Sequence, residues 1–463
     1  MALITSLSGI RGIYGKDLTE STAIKYAYSY ISFLRQKCRK NVPMVVIGMD
    51  TRPSGLKLAD ALMGILDCDF IDVGIAPTPA IEFAVRHFNA DGGIIITASH
   101  NEPYWNGFKF LKDDGSVLRE KEMDFVVNNP KTFKNFHKIQ DRKITEKNDD
   151  AIKKYTDFIY DIIGHENIEK IKNSGQKIVL DPNWGTGAIA KKIIEQIGVD
   201  VVGINMQYGQ FKRRVEPAED SLIYLKNAID ENKADFAAGF DCDADRVEIL
   251  MQNGQFLSGN YILALIVYEV LSNLKNPRNQ VVVVNDATSN IVKDIVQKFG
   301  AKIREVEVGE TNVVEEMIKS KSIVGGEGSS GGAIIWPSRC RDGILTLLTI
   351  LAICAKKEKK LHEIVLELPK YYTLRKKIEF DSAKHNEIKE FIKNYYIKKG
   401  FEAKENGGIK GSLKITTSKN SFVWFRASKT ESNIFRIISD STKYNESQEL
   451  IDEAVKMFKK ASQ

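Results

Sequence analysis

Asp241, Asp243 and Asp245 stand at i, i+2 and i+4 after an apolar run, in the string Asp241-Cys242-Asp243-Ala244-Asp245-Arg246. If the backbone there stays extended, side chains two apart share a face and the three carboxylates converge. Three like charges that close raise one another's pKa unless a cation offsets them, and an all-oxygen set suits a hard ion, most simply Mg²⁺. An EF-hand is excluded, because its loop needs Gly after the third acid and Glu at position 12, where Arg246 and Gln252 stand. The plain alternative is a solvated acidic turn.

A second constellation runs Thr97-Ala98-Ser99-His100-Asn101 and continues through Asn106-Gly107-Phe108-Lys109. Ser99 fits a nucleophile or phosphate carrier, and Lys109 or His100 fits proton transfer or an anion contact. No GxSxG elbow surrounds Ser99, so a hydrolase triad is not signalled. Ser and Asn are also ordinary turn formers, and an isolated His is often structural. Two further loops offer phosphate chemistry. Arg426, Ser428 and Thr430 surround Lys429 in an expected turn, giving a guanidinium fork, hydroxyls and backbone N–H groups. The run Gly325-Gly326-Glu327-Gly328-Ser329-Ser330-Gly331-Gly332 reads as too glycine-rich for regular structure and lacks the Lys of a P-loop; Glu327 with Ser329 or Ser330 could bond sugar hydroxyls. Either loop alone is equally well a flexible surface turn.

These loops need elements to hold them, and the apolar pattern supplies a recurring unit. Met44 to Met49 reads as a buried strand entering the turn Asp50 to Gly55; Ile94 to Thr97, Ile178 to Leu180 and Asp235 to Gly239 likewise run into polar loops. Val281 to Val284 precedes a helical pattern over Ile291 to Phe299, and Thr19 is a plausible N-cap for Ile24, Ala27, Tyr28, Ile31 and Leu34 at helical spacing. Strand–loop–helix grammar implies α/β domains with largely parallel sheets, whose ligands bind beyond the carboxyl ends of the strands. At 463 residues the chain exceeds one domain. The expected division is 1–148, 149–253 and 254–368 as α/β domains and 369–463 as a smaller α+β domain.

Composition narrows the function class. With 28% charged and 43% hydrophobic residues and a net charge of +6, the chain has an ordinary globular balance, which argues against a nucleic-acid-binding, membrane-surface or disordered protein. The opening residues do not read as a signal peptide. Gly343 to Ala355, the longest apolar stretch, is 13 residues and falls short of the about 20 a membrane span needs, so it should be a buried helix. Five scattered cysteines, Cys38, Cys68, Cys242, Cys340 and Cys354, indicate free thiols and a cytoplasmic address.

Taken in order, SGIRG (Ser8 to Gly12), DTRPSG (Asp50 to Gly55), TASHN with NGFK (Thr97 to Lys109), DCDADR (Asp241 to Arg246), GGEGSSGG (Gly325 to Gly332) and RASKTE (Arg426 to Glu431) resemble the motifs of the α-D-phosphohexomutase superfamily over nearly the whole length. The resemblance implies three related α/β domains and a C-terminal fourth, heart-shaped around a central cleft. It implies Ser99 as phosphoserine, Mg²⁺ on Asp241, Asp243, Asp245 and the Ser99 phosphate, and Arg11, His100, Lys109 and Arg246 around the transferring phosphoryl group. Glu327, Ser329 and Ser330 would read sugar hydroxyls; Arg426, Ser428, Lys429, Thr430 and Arg436 would hold the other phosphate.

The implied reaction interconverts hexose 1- and 6-phosphates, glucose and mannose first, through a hexose 1,6-bisphosphate that also serves as activator. Glucosamine phosphates are the runner-up. A phosphatase is disfavoured because hydrolysis needs no second phosphate loop, and a non-catalytic sensor because Ser99 and the aspartates are all present. Three departures stand out. Gly331 and Gly332 occupy the place where many members carry a proton-transferring His, which favours Lys109, supported by His100, as general acid. Ala427 and Lys429 replace Pro and Gly in the phosphate loop, where Arg436 also falls one residue late. Cys242 replaces a Gly between the metal aspartates and is not expected to be a ligand. The turnover of a bisphosphate implies movement of the fourth domain, with a hinge near Pro369 to Tyr372.

Overall fold

The computed structural model describes residues 3–6, 9–129, 142–408, 411–428 and 433–462. They form two compact units, Met1–Leu257 with Gly331–His362, and Ser258–Ser330 with Glu363–Gln463.

The first unit opens with a seven-stranded mixed sheet of β1 (Ile4–Ser6), β2 (Gly9–Ile13), β3 (Met44–Met49), β4 (Asp69–Ile75), β5 (Gly92–Ile96), β6 (Trp105–Lys112) and β7 (Ile144–Glu146), in the order β1-β2-β6-β5-β3-β4-β7. β3 pairs in parallel with β4 and β5, and the connections run through helices Gly55–Ile65 and Thr78–His87. β5 is buried along its whole length, as an apolar run covered on both faces must be. Helix Glu20–Cys38 starts on the expected cap, with the Thr19 hydroxyl accepting from the Thr22 amide, and packs Ile24, Ala27, Tyr30, Ile31 and Leu34 inward.

A second sheet holds β8 (Lys177–Asp181), β9 (Asp200–Gly203), β10 (Phe236–Phe240), β11 (Val247–Met251) and β12 (Phe256–Leu257), in the order β12-β11-β10-β8-β9. β10 runs parallel to β8 but antiparallel to β11, pairing Phe240 with Val247. Residues 241–246 are therefore the tip of a hairpin. Helix Gly343–Lys357 is buried from Gly343 to Cys354, as its apolar composition requires, and the Asp342 carboxylate caps it by accepting from the Leu345 amide at 2.9 Å.

In the second unit β13 (Val281–Asn285), β14 (Lys302–Val306) and β15 (Val324–Gly326) are parallel, with β13 between the others. The glycine run was expected to be irregular, yet Gly325 and Gly326 lie in β15. The reason is space: a Cβ on Gly325 would sit 2.5 Å from the Val283 carbonyl oxygen, so glycine lets the strands close. β16 (Ala333–Ile335) lies on the stretch of chain that belongs to the first unit.

The remaining strands, β17 (Tyr372–Glu379), β18 (Glu402–Asn406), β19 (Ser412–Ser418), β20 (Ser421–Ala427) and β21 (Ile434–Ser441), form an antiparallel sheet in the order β17-β21-β20-β19-β18. Helices His385–Lys398 and Tyr444–Ser462 pack on one face over Phe425, Phe435 and Ile437. The opposite face packs Phe422, Trp424 and Ile438 against Ala287. Asp286, buried just beyond β13, fastens this contact by accepting from Trp424 Nε1 at 3.0 Å, from Asn406 Nδ2 at 2.7 Å and from the Ser412 hydroxyl. At the proposed hinge, the Tyr371 amide donates to the Tyr261 hydroxyl at 3.0 Å and the Tyr371 hydroxyl to Asp294 at 2.8 Å.

Candidate active site

Ser99 follows β5 with φ of 50°, a left-handed conformation that a non-glycine residue adopts only when its surroundings hold it. The holders are visible. The Thr97 hydroxyl accepts from the Ser99 amide at 2.8 Å and donates to Asp50 at 2.6 Å. Arg52, buried and paired with Asp50 at 3.0 Å, donates to the carbonyls of Ser99, Asn101 and Glu102 at 2.7, 2.6 and 2.9 Å. One guanidinium thus fixes three carbonyls within four residues of the loop. The Ser99 hydroxyl, itself buried, donates to Asp241 Oδ2 at 3.2 Å and lies 3.4 Å from His100 Nδ1. Burial, reinforced by the charges of Arg246 and Arg11, holds His100 well below its ordinary 6.5, so the ring is neutral at pH 7. Arg11 donates to Asn101 at 2.9 Å; burial lowers it to about 10, and it remains a cation.

Asp241, Asp243 and Asp245 do converge, with one carboxylate oxygen of each within 4.8 Å of the others. The route differs from the extended strand expected of the sequence. The hairpin tip turns, with Ala244 at φ of 54°, and the turn rather than strand alternation brings the carboxylates together. Lys109, on β6, donates to Asp243 at 2.9 Å and Asp245 at 3.2 Å, and the Thr78 hydroxyl donates to Asp243 at 2.7 Å. Arg246 Nε lies 3.6 Å from Asp245 and 3.8 Å from Asp241, and Arg341 lies 3.6 Å from Asp245.

Burial, then the neighbouring Asp245 and Asp243, pushes Asp241 well above the usual carboxylate range. Burial acts on Asp245 in the same sense, but Lys109, Arg341 and Arg246 overcome it and hold that group far below the usual range. Asp243 Oδ1 is buried with no hydrogen-bond partner among the described residues. Three clustered hard oxygens, one of them orphaned, fit a hard divalent cation. Cys242 is no ligand: its buried sulfur faces the Thr51 hydroxyl at 3.6 Å, and burial pushes the thiol well up.

The glycines around this loop are steric requirements. A Cβ on Gly332 would lie 2.5 Å from the Asp245 carbonyl oxygen, and one on Gly343 would lie 2.9 Å from that of Ala244. Close backbone packing therefore delivers Arg341 to the carboxylates.

The second unit carries the other group. Glu327 is buried beyond β15 and accepts from Asn285 Nδ2 at 2.8 Å and from the Gly309 amide at 2.9 Å. Ser329 is exposed and Ser330 half-buried. On the antiparallel sheet, Arg426 of β20 sits opposite Arg436 of β21, which sits opposite Lys377 of β17. Directly opposed residues share a face, so three cations stand in a row, and like charges so placed destabilise a sheet unless an anion joins them. Glu307 pairs with Arg426 at 2.9 Å, and the buried Nε of Arg426 has no hydrogen-bond partner among the described residues. Ser428 donates its amide to the Ile434 carbonyl at 2.7 Å. Lys429 and Thr430 lie outside the described residues, as does Ser8 of the first motif.

Arg52, Thr78, Arg341 and Lys377 join these clusters without having been singled out in the sequence. Asp50-Thr51-Arg52 marked a turn but gave no hint of the three carbonyls. Thr78 and Arg341 reach the aspartates from elements far along the chain, and no local signal marks either. Lys377 follows Lys376, and only strand register shows which of the two faces the arginines.

The chain matches three family descriptions in sequence: Phosphoglucomutase/phosphomannomutase alpha/beta/alpha domain I over residues 3–134, domain II over 153–254 and domain III over 258–372. It is 35% identical over 462 residues to a phosphoglucomutase/phosphomannomutase of Thermococcus kodakarensis, covering 98% of each chain. It is 32% identical over 465 residues to a probable phosphoglucosamine mutase of Pyrococcus abyssi, covering 98% of this chain and 97% of that one. The fold matches a putative phosphomannomutase from Thermus thermophilus with a TM-score of 0.80 at 23% identity, over 99% of both chains. Among the described residues no helix is long and apolar enough to cross a membrane.

Proposed function

Because this chain belongs to the α-D-phosphohexomutase superfamily, we propose that it interconverts glucose or mannose 1- and 6-phosphates through a phosphorylated Ser99. The observation that carries the reading is the buried Ser99 hydroxyl 3.2 Å from Asp241, at the edge of an acidic cluster ringed by Lys109, Arg246 and Arg341.

In the forward half-reaction the oxygen at C6 of a hexose 1-phosphate attacks the Ser99 phosphorus. The bond from phosphorus to Ser99 Oγ breaks, the attacking hydroxyl loses its proton, and the products are Ser99 alkoxide, taken to the hydroxyl by that proton, and a hexose 1,6-bisphosphate. The bisphosphate then turns over, and its C1 phosphoryl group returns to Ser99. Lys109 is the proposed acid and base toward the sugar oxygen. His100, neutral and 3.4 Å from Ser99 Oγ, supports it by exchanging the serine proton. Arg11 and Arg246 hold the equatorial oxygens of the moving phosphoryl group, where charge spreads in the transition state.

Asp241, Asp243, Asp245 and the Ser99 phosphate would hold Mg²⁺, which when bound neutralises phosphoryl charge. Glu327, Ser329 and Ser330 face the sugar hydroxyls in this reading. Arg426 and Arg436, with Ser428, Lys429 and Thr430, anchor the phosphate that is not being transferred.

Relatives named phosphoglucosamine mutases, such as the one at 32% identity, make glucosamine phosphates the second substrate class to assay. The test is to incubate the protein with Mg²⁺, a trace of glucose 1,6-bisphosphate and each hexose 1-phosphate in turn. Isomerisation to the 6-phosphate is expected; release of inorganic phosphate without isomerisation would overturn the proposal.

A further inference from the structure

We infer that Arg375 is a positioning residue that sets discrimination among hexose phosphates, by fixing the glycine-rich loop at a set distance from the row of cations. The inference rests on the reading of that loop as the sugar contact.

β17 presents Thr373, Arg375 and Lys377 on one face, successive side chains lying about 7 Å apart along an extended strand. Each rung meets something different. Thr373 accepts from Asn260 Nδ2 at 3.3 Å and donates to Asp440 at 2.7 Å, which anchors the strand at one end. Lys377 stands in register with Arg436 and, through it, with Arg426. Between them Arg375 extends a fork to the loop, donating from Nη2 to the Gly328 carbonyl at 3.1 Å and from Nη1 to the Ser329 carbonyl at 3.4 Å.

The loop is held from its other side as well. The Gly328 amide donates to the Thr288 hydroxyl at 3.1 Å, and a Cβ at Gly328 would lie 1.8 Å from Asn260 Oδ1, so only glycine fits on that asparagine. Two successive carbonyls taken by one planar group fix the peptide planes from which Ser329 and Ser330 present their hydroxyls. A hexose phosphate that places its phosphate on the cation row then meets those hydroxyls at a distance the strand determines. An epimer with one hydroxyl reversed meets the same donors in the wrong direction, and unpaired polar groups in a site are what reject near-isosteric substrates. Arg375 is exposed, so its replacement removes the fork without opening the core. Lysine offers one rotatable ammonium and cannot reproduce a fork on two carbonyls.

The experiment measures kcat/KM for glucose 1-phosphate and mannose 1-phosphate in the wild type, Arg375→Gln, Arg375→Lys and the double variant Ser329→Ala with Ser330→Ala. Phosphoryl transfer from glucose 1,6-bisphosphate to unphosphorylated Ser99, followed by intact mass, reports the chemistry separately. For Arg375→Gln the ratio of the two kcat/KM values should fall toward one by about tenfold, mainly through KM of the preferred sugar, with an intermediate fall for Arg375→Lys. The serine double variant should lower the same ratio. An unchanged ratio in Arg375→Gln beside an altered ratio in the serine variant overturns the role of Arg375 and leaves the loop reading standing. No change in either overturns the loop reading and this inference with it. An equal loss for both sugars, or a loss of Ser99 phosphorylation matching the loss of turnover, marks a merely structural role and also overturns the inference.

Discussion

The two clusters of charge are built on opposite plans. Around Ser99 and the aspartates opposite charges meet in pairs: Lys109 against Asp243 and Asp245, Arg246 and Arg341 against Asp245, Arg52 against Asp50. Apart from the half-buried Arg246 these groups are buried; the carboxylates and Arg52 sit on tight turns after strands, Lys109 lies on β6 and Arg341 just before helix Gly343–Lys357. On the antiparallel sheet, Lys377, Arg436 and Arg426 line up with their own sign, with Glu307 beside the last of them. Under the proposed function the contrast separates bond-making from docking. Bond-making needs fixed dipoles arranged before the reaction, which favours saturated, immobile pairs. Under the same proposal the row docks a phosphate, and strand register sets the spacing of its cations.

If the contrast is right, variants in the two clusters should fail in different ways. The largest effect is expected for Ser99→Ala, a loss of roughly 10⁴-fold in kcat with hexose phosphate binding retained, since the carrier is gone and the docking row is untouched. Isotope-labelled bisphosphate should leave no label on that variant; full activity would remove Ser99 from the mechanism. Next, Asp243→Asn should lower kcat by roughly 10²- to 10³-fold, and chelation of divalent cations should silence the wild type until Mg²⁺ is returned. Calorimetric titration of Mg²⁺ into the variant reads the same loss without turnover.

Arg426→Ala should instead raise KM by about 10- to 100-fold, the worth of a charged hydrogen bond. Transfer from the bisphosphate to Ser99 at saturation should persist. A kcat defect with normal KM would erase the distinction between the clusters. The smallest effect is thermal. The folded pKa of His100 lies below its unfolded value near 6.5, so as pH falls through that value the unfolded chain takes up a proton that the folded chain refuses, and stability declines. In the metal-free protein, His100→Asn should therefore lose about 1–3 °C less in Tm than the wild type between pH 8 and pH 5.5. An identical loss in both would show that the ring is not protected from protonation.

The residues of the first cluster were largely legible because their types are unusual together: three alternating acids, and a Ser-His pair with a lysine close downstream. The backbone between them was not. Spacing i, i+2, i+4 suggested an extended run, whereas Ala244 in the left-handed region makes a hairpin tip, and only the pairing of Phe240 with Val247 reveals it. Gly325 and Gly326 misled for a related reason. Glycine weakens a strand locally, but here the Val283 carbonyl leaves room for nothing else, and that constraint comes from a strand some forty residues earlier. Arg375 and Lys377 were invisible as a pair because a strand rich in charge gives no apolar rhythm from which to read its faces. Elements with strong apolar periodicity were easier: helix Glu20–Cys38 starts on the expected cap, although Tyr30 and not Tyr28 is the buried tyrosine, and helix Gly343–Lys357 covers the expected stretch Gly343 to Ala355.

The first unit is interrupted in sequence, resuming at Gly331 only after 73 residues of the second have gone by. That return segment carries Gly332, Arg341, the cap Asp342 and helix Gly343–Lys357, and the Asp342 carboxylate accepts from the buried Tyr155 hydroxyl at 2.8 Å. On the ribosome, residues 241–246 emerge long before the backbone that packs against them. Thr78 and Lys109 precede the hairpin tip in sequence, but Arg341 and the close-packed backbone at Gly332 and Gly343 join it only after some hundred further residues have been synthesised. Domains generally fold one after another from the N-terminus; here the nascent chain cannot finish its first compact body until it is well into its second.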